Sequence, residues 1–201
     1  MNKKGFTLVE LLGTIVILGI ALGIAIPAVS RYIDKSKREA FSSVLHEYGD
    51  AVSKALANDE YSVPYGNSQL TIISLDLIPL DKGKQESSFD SEWLKNKSYI
   101  VVANTGTTDK DNYEYYVAAQ DEDNHAISLS EIKNITSKDV ISNAKNRMEV
   151  TIQSLCGNTS GKRMILSTLK GLEDIQPMDN DGNYIDWEAT IYSSDDCGGK
   201  N

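Results

Sequence analysis

Hydrophobic positions along this chain follow three successive patterns. The twenty residues from Leu11 to Ser30 carry no charge, and their apolar side chains fall all round a helix. A helix that meets water on one side keeps a polar stripe there, so this run predicts a helix set in an apolar medium. At about 1.5 Å of rise per residue it crosses roughly 30 Å, the thickness of a bilayer's hydrocarbon. From Phe41 the pattern changes. Val44, Leu45, Tyr48, Val52, Ala55 and Leu56 recur at spacings of three and four, with Arg31, Lys37, Glu39, Glu47, Asp50 and Lys54 on the remaining faces. This is one buried stripe of a continuing helix, which we expect from Phe6 to about Asn58.

Beyond residue 60 the period shortens towards two. Pro64, Gly66 and Asn67 mark a loop, and short β-rich runs follow at Leu70–Leu75, Tyr99–Ala103, Tyr113–Ala119, His125–Leu129, Arg163–Leu169 and Tyr184–Ser193. Polar, turn-rich segments separate them. Thr136 or Ser137 is placed to cap a short helix through about Arg147, and Met148, Val150 and Ile152 then alternate as a strand does. The fold class expected is α+β, a long N-terminal helix packed on an antiparallel β-sheet head.

The start of the chain narrows the reading. Lys3, Lys4 and Gly5 precede Phe6-Thr7-Leu8-Val9-Glu10, so one acid stands on the apolar side of the basic start. A lone carboxylate in lipid costs a few kcal/mol or more and needs a partner. A secretory signal ends its apolar core at small residues, whereas here the small residue, Gly5, comes before it. Residues 3–12 resemble the class III signal of type IV pilins and pseudopilins. The resemblance covers about residues 1–60. It implies cleavage after Gly5, N-methylation of the new terminus at Phe6, and a role for Glu10 in filament assembly. There a carboxylate on one subunit neutralises the terminal ammonium of another, and desolvation favours the paired register. The family also implies a cytoplasmic leader and an outer head, although Arg31, Lys35, Lys37 and Arg38 give a positive-inside count of the opposite sense.

The domain organisation expected is leader 1–5, apolar membrane and filament-core helix 6–33, amphipathic half-helix 34–60, and β-rich head 61–201, with a cysteine-bounded region at 156–197. Gly19, Gly23 and Pro27 make the weakest stretch of the apolar helix. Filament packing in the family implies melting around Gly19 and Pro27. Close pairing of two helices through Gly19 and Gly23, and ordinary membrane-helix glycine, are the alternatives.

Composition excludes some classes. With a formal charge of −9, made more negative by loss of Lys3 and Lys4, the chain gives no strong nucleic-acid signal. Cys156 and Cys197 are its two cysteines. On an exported domain they read first as a disulfide, as in many pilins, with free thiols as the alternative. Asp179, Asp181, Asn183 and Glu188 form a weak calcium candidate around Gly182, but Pro177 stands where a first aspartate belongs, and a polar β-turn explains the same residues. No metal and no cofactor is expected. His46 and His125 lie near no obvious nucleophile, and no catalytic motif is present, so an enzyme is not expected. Tyr61, Tyr65, Tyr113, Tyr115, Tyr116, Tyr184, Tyr192, Trp93 and Trp187 read mainly as sheet core, with ligand contact as the alternative.

The expected function is that of a structural pilin, stored as a single-pass membrane protein and polymerised into a surface filament for adhesion, motility or biofilm formation. Its implied partners are membrane lipid before assembly, copies of itself and other pilins, a prepilin peptidase, a platform membrane protein and, indirectly, an assembly ATPase. A pseudopilin of a type II secretion or DNA-uptake machine and a minor tip pilin fit the same residues. A membrane-tethered extracellular enzyme or receptor is the alternative of a different class.

Overall fold

A computed structural model describes residues 7–80, 85–106, 110–144, 154, 162–167 and 169–193. It divides into two compact units, Met1–Lys37 and Arg38–Asn201. One helix, α1 (Leu8–Ala57), contributes to both. In the first unit its large apolar side chains, including Leu8, Leu11, Ile17 and Ile24, are all exposed. Pro27 sits inside the helix, where it removes one backbone donor. The helix ends where Asp59 adopts a left-handed φ of 59°. There the Glu60 N–H donates to the Ala55 carbonyl at 3.0 Å and the Asp59 N–H to that of Leu56 at 3.1 Å, which satisfies carbonyls that the ladder leaves open.

The second unit holds a sheet of six strands: β1 (Gln69–Ser74), β2 (Tyr99–Asn104), β3 (Tyr113–Gln120), β4 (Ala126–Glu131), β5 (Lys162–Leu166) and β6 (Trp187–Tyr192). Their order is β4-β3-β2-β1-β6-β5. Every neighbouring pair is antiparallel except β1 and β6, which run parallel. The expected antiparallel sheet is present, with this one parallel pair within it. The α+β class stands, and the predicted runs fall on the strands within a few residues. The last two shorten: β5 stops at Leu166, and β6 starts at Trp187 because Tyr184 instead forms an isolated bridge with Met178.

Alternation along the strands builds two cores. Phe41, Leu45, Tyr48 and Val52 of α1 meet Ile73, Ile100, Val102, Val117 and Ala119 on one sheet face. The opposite face carries Leu70, Ile72, Tyr99, Val101, Ala118, Trp187, Ala189 and Ile191, which pack with Leu169 and Leu172. Strand β2 is buried at every position, and this is why it reads as a nearly unbroken apolar run.

Among the described residues, the predicted helix from Thr136 is not seen. Residues 137–139 make a turn, with the Thr136 N–H and hydroxyl both donating to Asp139 Oδ2 at 2.8 Å. Ile141 then bridges to Ala126, extending the sheet edge beside β4. A capping threonine satisfies a turn as well as it starts a helix, and the pairing of Ile141 takes the backbone groups that a helix needs. The remainder of that segment and the expected strand at Met148–Ile152 lie outside the described residues.

Candidate functional site

The first unit is built around the start of α1. Thr7 caps the helix: the Glu10 N–H donates to Thr7 Oγ1 at 3.2 Å, while the Thr7 N–H and hydroxyl both donate to Glu10 Oε2 at 2.9 Å. This reciprocal pair is a capping box, and it ties down donors that a helix start leaves open. The spacing Thr7-x-x-Glu10 is its signal in the sequence, and our reading of Glu10 as a docking acid passed over it. Both bonds to the carboxylate fall on Oε2. The other oxygen, Oε1, accepts no bond from the described residues. Gly5 and Phe6 lie outside the described residues. Gly19 and Gly23 have open space around their Cβ positions, and the backbone there and at Pro27 is helical.

Downstream of this start, α1 is long and apolar enough to cross a membrane, and its most apolar window is wholly unburied. In the second unit, Arg38 of the basic cluster donates to the Val140 carbonyl and to Ser142 Oγ, the latter at 2.9 Å, so it fastens the 140–142 segment to the helix.

The two histidines take structural positions. His46 lies within 3.3 Å of the Ile135 carbonyl. His125 Nδ1 is 2.9 Å from Oδ2 of Asp121, whose side chain is fully buried. Asp121 also accepts from Ser87 Oγ at 2.7 Å and from the His125 N–H at 2.8 Å, and the imidazole stacks on Phe89 at 3.6 Å. The serine here bonds the aspartate rather than the imidazole, so the group lacks the order in which a base activates a nucleophile. It joins the 87–91 segment to the β3–β4 turn.

In the 179–183 loop, Asp179 Oδ1 accepts the N–H groups of Asn183 at 2.8 Å and Asp181 at 2.9 Å, and Oδ2 accepts from the Asn183 amide at 3.1 Å. These bonds, the Asn183 backbone N–H foremost, hold the carboxyl below the ordinary aspartate range. The Asp179 N–H closes the turn on the Asn183 carbonyl at 2.8 Å. Glu188 pairs with Arg163 at 3.0 Å and accepts from Gln69 Nε2 at 3.3 Å. The loop forms a polar turn organised on the Asp179 carboxylate. Cys156 and Cys197 lie outside the described residues.

Most of the aromatic residues fill cores. Trp93, Trp187 and Tyr116 are buried, and Tyr113, Tyr115, Tyr61 and Tyr192 pack half-buried against the helix-side core. Tyr65 and Tyr184 are exposed. No local pattern separates these two from the others, because which tyrosine is covered depends on how distant segments pack.

An exposed, apolar N-terminal helix and a head in which the continuing helix packs on a mostly antiparallel sheet define a pilin-like α+β architecture. The prokaryotic N-terminal methylation motif matches residues 1–26. A type IV major alpha-pilin of Moraxella bovis is 46% identical over 54 residues, which are 27% of this chain and 34% of that pilin. The chain therefore spans about a third of the length of the curated relative it matches. No solved structure matches it. The motif and the relative together make the N-terminal part of the chain similar to type IV pilins.

Proposed function

We propose that this chain is a filament subunit of a type IV pilus, stored in the membrane, cut after Gly5 and polymerised through its N-terminal helix. The observation that carries the reading is the unburied apolar surface of α1 that follows the capped Thr7–Glu10 start. Large apolar side chains exposed on every side of a helix require lipid or other apolar helices around them. A subunit that first sits in lipid and then packs against copies of itself meets both conditions with one surface. The likeness over 54 residues to a protein described as a type IV major alpha-pilin supports a pilin-type filament subunit.

Glu10 guides docking in this reading. Oε2 keeps the helix cap, and Oε1 accepts the terminal ammonium of Phe6 on a neighbouring subunit. An unpaired charge in an apolar filament core costs several kcal/mol, so the docked register is favoured over others. Gly19 and Pro27 mark where the helix opens during packing. Partners are copies of this chain and other pilins, with a prepilin peptidase, a platform membrane protein and an assembly ATPase acting on it in turn.

The test separates processing from assembly. Gly5→Leu should leave the leader attached, seen as an intact mass for residues 1–201, with no chain in filaments. Glu10→Ala should be cleaved normally yet be lost from filaments by tenfold or more. Normal maturation of the Gly5 variant refutes the prepilin reading, and full incorporation of the Glu10 variant refutes the docking role.

A further inference from the structure

We propose that the head carries a binding site for one neutral carbohydrate ring, in the cleft between the 62–65 loop and strands β1, β6 and β5. The cleft has a volume of about 290 Å³. That is just below the roughly 300–1,000 Å³ typical of ligand pockets, and it suits a single small ring whose linkage continues into solvent.

The strand order builds it. Gln69 on β1 lies beside Glu188 on the parallel β6, and Arg163 on β5 lies beside Thr190. Glu188 is held from both sides: Oε1 accepts from Arg163 Nη1 at 3.0 Å and Oε2 from Gln69 Nε2 at 3.3 Å. Gln69 in turn accepts the Tyr65 N–H at 3.1 Å through Oε1. A second set of bonds fixes the loop. The Tyr192 hydroxyl donates to Ser62 Oγ at 2.8 Å and accepts the Ser62 N–H at 3.0 Å, and Thr71 Oγ1 donates to the Ser62 carbonyl at 2.6 Å. A polar row whose members already orient one another loses little freedom when a ligand arrives.

The chemistry of the row selects the ligand. Arg163 and Glu188 neutralise each other, so the cleft attracts neither a free anion nor a free cation strongly. A guanidinium has more N–H donors than one bond to Glu188 uses, an amide nitrogen has a second donor, and carboxylate oxygens carry further lone pairs. Donors and acceptors so interleaved match vicinal hydroxyl groups, each of which both donates and accepts. Tyr65, on the lining, is 82% exposed, far more than the other lining tyrosine, Tyr192, which is half-buried. An aromatic face held at a polar cleft covers the C–H face of a sugar ring while its hydroxyls reach the polar row. A purely apolar ligand would strand the row's remaining donors and acceptors without water, and so is disfavoured.

The site lies wholly within the head and does not depend on the filament reading. The test uses the full chain in micelles of an amine-oxide detergent, which has no sugar headgroup. Saturation-transfer NMR is recorded with methyl galactoside, methyl glucoside, methyl mannoside and N-acetylglucosamine, and amide shifts are followed separately with inorganic sulfate. At least one sugar should show transfer with a millimolar Kd. Tyr65→Ala and Glu188→Gln should each weaken it at least fivefold, with the melting temperature of Tyr65→Ala unchanged. The proposal is overturned if no sugar of the panel shows transfer, if transfer survives both substitutions, or if sulfate shifts the Gln69 and Glu188 amides while the sugars do not.

Discussion

Between Leu8 and Ser30 the side chains of α1 are exposed all round, whereas between Phe41 and Leu56 one stripe of the same helix is buried and the rest is wet. The backbone is the same in both stretches, and only the pattern of side chains differs. Where apolar residues recur at three and four, the protein supplies its own partner, the sheet. Where they occupy every face, the single chain supplies none, and the surface is complete only in lipid or among other helices. In this protein the head derives its stability from within, while the N-terminal stretch derives its purpose from what surrounds it.

Truncation in the two stretches is the strongest way to break that comparison. Phe41 is fully buried, with its ring 5.0 Å from that of Trp93 and 6.0 Å from that of Phe89. Phe41→Ala should cost the head about 3–5 kcal/mol, read by denaturant unfolding of the full chain in detergent. Ile17→Ala, at a residue 69% exposed, should leave the head's unfolding midpoint within error. Equal losses in the two variants would mean that the stretches are not energetically distinct.

Glycine offers a milder version. A Cβ at Gly49 would stand 2.9 Å from Ile132 Cδ1, while one at Gly19 would meet nothing within 4 Å. Gly49→Val should therefore destabilise the head by about 1–3 kcal/mol through overpacking. Gly19→Val should leave head stability unchanged, and a matching loss there would contradict the open surroundings of that residue.

The smallest effect is a titration. Asp179 is exposed, and its carboxyl lies below the ordinary aspartate value because N–H groups of the turn donate to it, that of Asn183 first. A lowered folded pKa means that the charged form stabilises the turn. That contribution is complete above the ordinary aspartate range and disappears as the pH falls through the lowered value. Amide resonances of Asp181 and Asn183 should shift with a midpoint below that range, and Asp179→Ala should abolish the shift. A midpoint at or above the ordinary value would refute the capped turn.

Local pattern carried much of this fold. The buried stripe from Phe41 to Leu56 and the runs that became β1 to β4 were legible because burial imposes a period on neighbouring residues. The parallel pairing of β1 with β6 was not, since it joins Gln69 to Glu188 across more than half the chain and no local period encodes a partner. Thr136 misled for a related reason: the turn it closes is fixed by the bridge of Ile141 to Ala126, which only the sheet's edge decides. At the N-terminus the motif at residues 3–12 pointed to family and assembly. The capping role of Thr7 and Glu10 is encoded in their spacing, while the same acid also stands at the edge of an apolar run. The cleft beside Tyr65 was illegible for the same reason as the strand order, because its polar row comes from three separate strands.

The central claim is that the exposed N-terminal helix exists to be packed into a filament. Quantitative mass spectrometry of filaments sheared from the native cell surface, with the N-terminal peptide included, tests it most directly. Abundant chains beginning at N-methylated Phe6 are the result expected. Filaments that lack the chain, with the protein retained in the membrane, would contradict it.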